Sequence, residues 1–121
     1  MATYKADRTA EDIRREIAAI VRELKDPRLS GHLITVARVE VASDLSYAKV
    51  YISALEGLDV SREAVKALTN ATGFIRRETG SRLRLRKTPE LKFYADNSIE
   101  QGMDIVRRMK ELTDGETKDE N

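Results

Sequence analysis

"NATGFIRRETGSRLRLRKTPEL", residues 70–91, decides how the rest of the chain must be arranged. Thr69, Asn70, Thr72 and Gly73 are all poor helix formers, so a helix arriving here must kink or break, with a new helical stretch from Phe74. Between Arg76 and Lys87 stand six Arg or Lys side chains and one acid, Glu78: a local net charge of +5 in a chain whose formal net charge is +1. On a helix, Gly73, Arg77, Gly80 and Arg84 share one sector, because their spacing follows the helical repeat. A glycine on that face removes the side chain that would hold a bulky anionic backbone away, and the flanking guanidiniums can grip phosphate oxygens in bidentate fashion. Free amides at the start of the second helix add to the preference for an anion. These features point to a sugar-phosphate backbone as ligand.

The "RLRLR" run, residues 82–86, admits two geometries. An extended segment puts Arg82, Arg84 and Arg86 on one side, whereas a helix spreads them. Helix to about Leu83 or Arg84, then an extended lead-in to Pro89, is the favoured reading, and either geometry leaves a basic surface. The bland alternative is a solvated cationic face balanced by Glu78, Glu90 and more distant acids. Against it stands a local charge excess beyond what a balanced chain needs for solubility, with the glycine spacing as an independent argument.

Working outward, Ser61 is placed to cap the preceding helix, which carries Ala64, Val65 and Leu68 inward. After Pro89, Leu91, Phe93 and Ala95 alternate with Lys92, Tyr94 and Asp96 as a strand. Asn97 and Glu100 resemble a capping box that opens a last helix, with Ile99, Met103, Val106 and Met109 or Leu112 inward. "TDGETKDEN", residues 113–121, is acidic and aperiodic, so the expected division is a domain over 1–112 and a disordered tail over 113–121. Upstream, Thr9 with Glu11 and Asp12 resembles a helix start, followed by Ile13, Ile17, Ile20, Val21 and Leu24 on one face. Asp26-Pro27 ends that helix near Lys25, and "DPRLSGH" is a connector. Leu33–Val41 and Leu45–Leu55 read as a hairpin reversing at "ASD". Ala48, Val50, Ile52 and Ala54 fall on its core face, Tyr47, Lys49 and Tyr51 on a wet one.

A chain of 121 residues suits one domain, and 36% charged with 40% hydrophobic residues describes a soluble α+β protein. No apolar run approaches a membrane span and no secretion signal is recognisable, so the cytoplasm is expected. There is no cysteine and one histidine, His32, in a connector, so neither a metal nor another cofactor is expected. The sequon Asn70-Ala71-Thr72 reads as accidental. A carboxylate-metal nuclease is disfavoured because the acids are scattered. A rival binding surface is the open sheet face, where Tyr47, Tyr51 and Tyr94 sit with Lys49 and Lys92. It could stack bases or dock a partner protein, although tyrosine also simply favours strands.

The order helix, strand, strand, helix, kink, helix, strand, helix resembles a type II K-homology-like domain, with a three-stranded sheet and helices on one face. Such domains clamp single strands with a GxxG loop. Here Ala71-Thr72-Gly73 stands at that junction instead. With "KDPRL" at 25–29, "DLSYAKVYIS" at 44–53 and "GFIRRETGSRLRLRKTPELKFYADNSIEQG" at 73–102, the chain resembles the bacterial ribosome-binding factor A family almost throughout. The resemblance implies a non-catalytic, monomeric cytoplasmic assembly factor, important in the cold. It would bind the immature free 30S subunit and promote maturation of its 16S rRNA, including 5'-end processing. It implies RNA contacts from Ala71, Thr72, Gly73, Arg76, Arg77, Gly80, Arg82, Arg84, Arg86 and Lys87, with Arg8, Arg14 and Arg15 adding phosphate contacts. No membrane or small-molecule substrate is implied.

Overall fold

The computed structural model describes the backbone of residues 2–120 and the side chains of residues 6–98 and 102–113. Its elements are α1 (Ala2–Glu23), α2 (Pro27–Ser30), β1 (Ile34–Val41), β2 (Tyr47–Ala54), α3 (Leu58–Asn70), α4 (Thr72–Leu83), β3 (Glu90–Ala95) and α5 (Ser98–Glu120).

The isoleucines that mark α1 are its core stripe: Ile13, Ile17 and Ile20 are completely buried. The helix begins well before Thr9, because Ala6 and Ala10 continue that stripe one turn at a time and are buried with it. Asp26-Pro27 ends α1 as expected but also starts α2. The Asp26 carboxylate accepts from the Arg28 amide at 2.9 Å, and this one helical turn buries Leu29.

The hairpin closes through the Ala42 amide on the Tyr47 carbonyl at 3.0 Å, with Leu45 in the left-handed region (φ 61°). β2 is the central strand, antiparallel to β1 and parallel to β3. A parallel neighbour needs a long crossover, and the α3–α4 pair supplies it. Alternation sorts the sheet cleanly. Val36, Ala48, Val50, Ile52, Ala54, Leu91 and Phe93 are buried on one face, against which α1 and α3 pack.

The expected cap of α3 is corrected. α3 is preceded by Gly57 at φ 123°, a conformation that favours glycine. Ser61 is therefore buried within the first turn and donates back to the Gly57 carbonyl at 3.2 Å instead of capping. At α5 the helix follows directly on Asn97, and the Asp96 carboxylate accepts from the Ser98 hydroxyl at 2.7 Å; the Glu100 side chain lies outside the described residues.

The expected inward face of α5 is also corrected. Met103, Val106, Met109 and Leu112 are 62, 64, 62 and 70% exposed, because no other described element lies over them; Ile99 lies outside the described residues. The helix continues to Glu120, so no helix end marks the expected boundary at residue 112. Within this stretch the Thr113 hydroxyl bonds back to the Met109 carbonyl at 3.0 Å. Among the described residues no helix is long and apolar enough to cross a membrane.

Candidate nucleic-acid interface

A single residue separates the two crossover helices. Ala71, at φ −98° and ψ 11°, closes α3 through its amide to the Ala67 carbonyl, and its own carbonyl accepts from the Ile75 amide at 3.0 Å. The Thr72 hydroxyl turns back to the Thr69 carbonyl at 2.7 Å, satisfying an acceptor that the break exposes. Ile75, fully buried, anchors the new helix to the core, a burial worth about 2–3 kcal/mol. Gly73 stays at the surface, and a Cβ built on it would meet nothing within 4 Å. No side chain caps the start of α4.

The far end of α4 resolves the geometry of "RLRLR". The Leu85 amide donates to the Gly80 carbonyl at 3.0 Å and the Arg84 amide to Ser81 at 3.2 Å, a Schellman turn with Arg84 in the left-handed position (φ 53°). The helix stops at Leu83, and residues 85–89 run into β3 with bends at Arg86 and Lys87, not as the extended segment expected. The reversal folds this lead-in beside α4. Arg76 holds it there, donating through Nε to the Pro89 carbonyl at 3.2 Å and through Nη2 to Thr88 at 2.8 Å.

Packing the lead-in against the helix creates an open depression of about 590 Å³ lined by Gly73, Arg76, Arg77, Arg86, Lys87 and Thr88. It unites the helix break with most of the basic segment. Among the described residues Arg77, Arg84, Arg86 and Lys87 form no salt bridge. The carboxyl of Asp44, in the hairpin turn, is held below its usual range first by the Ser46 hydroxyl and amide and also by the charge of Lys87. That places the turn near the same rim. Such an array can neutralise several phosphates along one strand.

Other predicted residues take different roles. Gly80 is buried: a Cβ there would stand 2.2 Å from the Thr88 hydroxyl oxygen, so its missing side chain admits the lead-in rather than a ligand. Arg82 is committed internally, bonded to Glu23 at 2.7 Å and Glu78 at 3.3 Å, with Glu16 at 3.9 Å. Its hydrogen bond holds the Glu23 carboxyl below the usual range and raises its own pKa. Arg14 pairs with Glu11, and Arg15 with Asp12 at 2.6 Å. Neither they nor Arg8 line the depression. Ala71 and Thr72 are half-buried and shape the break. Sequence reasoning missed Thr88, whose place on the rim follows from the Schellman turn.

The family model described as ribosome-binding factor A matches residues 5–109. A ribosome-binding factor A from Moorella thermoacetica is 46% identical over 119 residues, covering 98% of both chains. One from Clostridium botulinum (strain Okra / Type B1) is 42% identical over 120 residues, covering 98% of this chain and 99% of its own. The crystal structure of ribosome-binding factor A from Thermus thermophilus superposes with a TM-score of 0.64 at 29% identity, covering 74% of this chain and 94% of that one. A Thermus thermophilus homology model fitted into a cryo-EM map of a 30S–RbfA complex gives 0.59 at 30% identity, covering 71% and 89%. With the same α+β architecture and near-complete alignment to these relatives, the chain belongs to the ribosome-binding factor A family.

Proposed function

We propose that this protein is a non-catalytic assembly factor that binds the immature small ribosomal subunit by seating a ribosomal RNA backbone in the depression beside the helix break. The observation that carries this reading is the convergence of Arg77, Arg86 and Lys87 with the open Gly73 surface, on cations that no described carboxylate pairs with. Arg84 extends the same charge at the turn. Arg76 contributes charge while its guanidinium braces the wall. The Thermus relative fitted to a 30S complex supports the small subunit as partner. Within the family reading, the RNA is 16S rRNA, the outcome is its maturation including the 5' end, and the factor acts as a cytoplasmic monomer that matters most in the cold. Nothing is chemically transformed: the factor stabilises one RNA conformer by binding it more tightly than its competitors.

With Arg77, Arg84, Arg86 and Lys87 each meeting a phosphate, the association constant for purified small subunits falls with a log–log salt slope of about −3 to −4. A slope near zero rejects the mode. Arg77→Glu with Arg86→Glu abolishes cosedimentation with the subunit while leaving the fold intact by circular dichroism. Retained cosedimentation would move the site elsewhere.

A further inference from the structure

The sheet face turned away from α1 and α3 carries an arrangement that the depression does not use. In register across the strands, Arg38, Tyr51 and Tyr94 form one row, and Glu40, Lys49 and Lys92 form the next. Tyr47 and Glu90 make a third. The Tyr51 and Tyr94 rings stack with centroids 5.6 Å apart at 28°, and the Arg38 guanidinium lies 4.1 Å above Tyr51. Lys92 sits 5.5 Å from the Tyr47 ring. Tyr47 and Tyr94 remain 38 and 41% exposed.

Two features make this more than a wet sheet. Strict alternation from buried Val36 would turn Arg38 toward the core; an irregularity in the register between Val36 and Arg38 turns it out onto the tyrosines. Lys49 also stands directly opposite Lys92, a like-charge pairing that costs stability, and neither has an ion pair among the described residues. The face's acids are Glu40, Glu90 and, beside Arg38 at its edge, Asp96; Glu40 is drawn aside, 3.6 Å from Arg38 and accepting from the Tyr51 hydroxyl at 3.4 Å, and Asp96 accepts from the Ser98 hydroxyl at 2.7 Å. An anionic strand relieves the lysine opposition while its bases extend the ring stack. The centre of a protein interface, by contrast, is depleted in lysine.

We propose that this open face is a second RNA-contact surface, stacking unpaired bases on Tyr51 and Tyr94 while Arg38, Lys49 and Lys92 meet the phosphates between them. It deepens the RNA-binding reading and rests on it. The two surfaces adjoin: Glu90 opens β3 directly after the lead-in, whose residues Lys87 and Thr88 line the depression. A strand leaving the depression can therefore continue onto the sheet.

The full-length protein is titrated with a fluorescein-labelled single-stranded oligouridine of about twelve nucleotides, within the usual site size of such surfaces, and with a blunt-ended RNA duplex. Tyr51→Leu with Tyr94→Leu weakens oligouridine binding about tenfold or more, leaves its salt slope unchanged, and spares the duplex. Tyr51→Phe with Tyr94→Phe retains oligouridine affinity because the rings remain. Lys92→Glu, which keeps both rings, weakens the same complex and supplies the test should the leucine pair fail to fold. Wild-type oligouridine affinity in the leucine pair, or in Lys92→Glu if that pair does not fold, overturns the proposal. So does normal oligouridine binding with lost small-subunit binding, which would assign the face to a ribosomal protein. Arg77→Glu with Arg86→Glu is titrated in parallel. If it binds small subunits like wild type, the depression reading fails, and the leucine pair still judges the sheet face separately.

Discussion

Arg84 holds a backbone conformation that glycine adopts freely and an L side chain does not. Retaining arginine there places a cation at the corner where α4 reverses into the lead-in. Arg84→Gly is expected to raise stability by about 1 kcal/mol in urea denaturation, by relieving the left-handed strain, and to weaken subunit binding through the lost charge. Equal or lower stability would show that Arg84 makes a compensating contact. Gly80 answers to the opposite constraint. Gly80→Ala drives a methyl into the Thr88 side chain, and despite alanine's better helix propensity the net effect is a loss of about 1–2 kcal/mol. Thr88→Ala in that background recovers most of the loss, as a double-mutant cycle would register.

At the scale of elements, Arg82 shows what a basic segment does when one member faces inward. It joins α4 to α1 through Glu23 and Glu16, at positions far apart in the chain, and braces the wall that carries Arg77. The folded Glu23 carboxyl has a depressed pKa, so this pair stabilises the protein above the ordinary carboxylate range and fades as pH falls through the lowered value. Arg82→Gln is therefore expected to lower the denaturation midpoint at neutral pH and to flatten its decline between about pH 5 and pH 3. RNA affinity changes less in this variant than in Arg77→Glu, since Arg82 is already occupied by carboxylates. A loss of RNA affinity equal to that of Arg77→Glu would return Arg82 to the binding surface.

For the whole molecule, the buried set runs through α1, α2, the sheet, α3 and α4, and no described α5 side chain belongs to it. Ending the chain after Asn97 is accordingly expected to leave the midpoint of thermal unfolding within a few degrees of the full chain. A large drop would reveal packing that α5 supplies. The pattern of what could be read in advance follows the same division. Alternation in β2, the isoleucine stripe of α1 and the stop at Asp26-Pro27 depend on neighbours a few residues apart, and each appears where periodicity placed it. The α5 stripe has equally clear periodicity, yet its apolar side chains are exposed, because amphipathicity records a face and not the presence of something to cover it.

The sequence by itself determined the α+β element order apart from the one-turn α2, the helix break around Ala71, the buried and open faces of the strands, and the excess of positive charge beside the break. Those are consequences of backbone preference and side-chain spacing within a turn or two. Only the tertiary structure decided that Gly80 accommodates Thr88, that Arg82 belongs to Glu23 while Arg77 and Arg86 line the depression, and that Arg38 turns onto the tyrosines. Each of these depends on contacts between distant segments or on the register of strand pairing, and local sequence carries no measure of either.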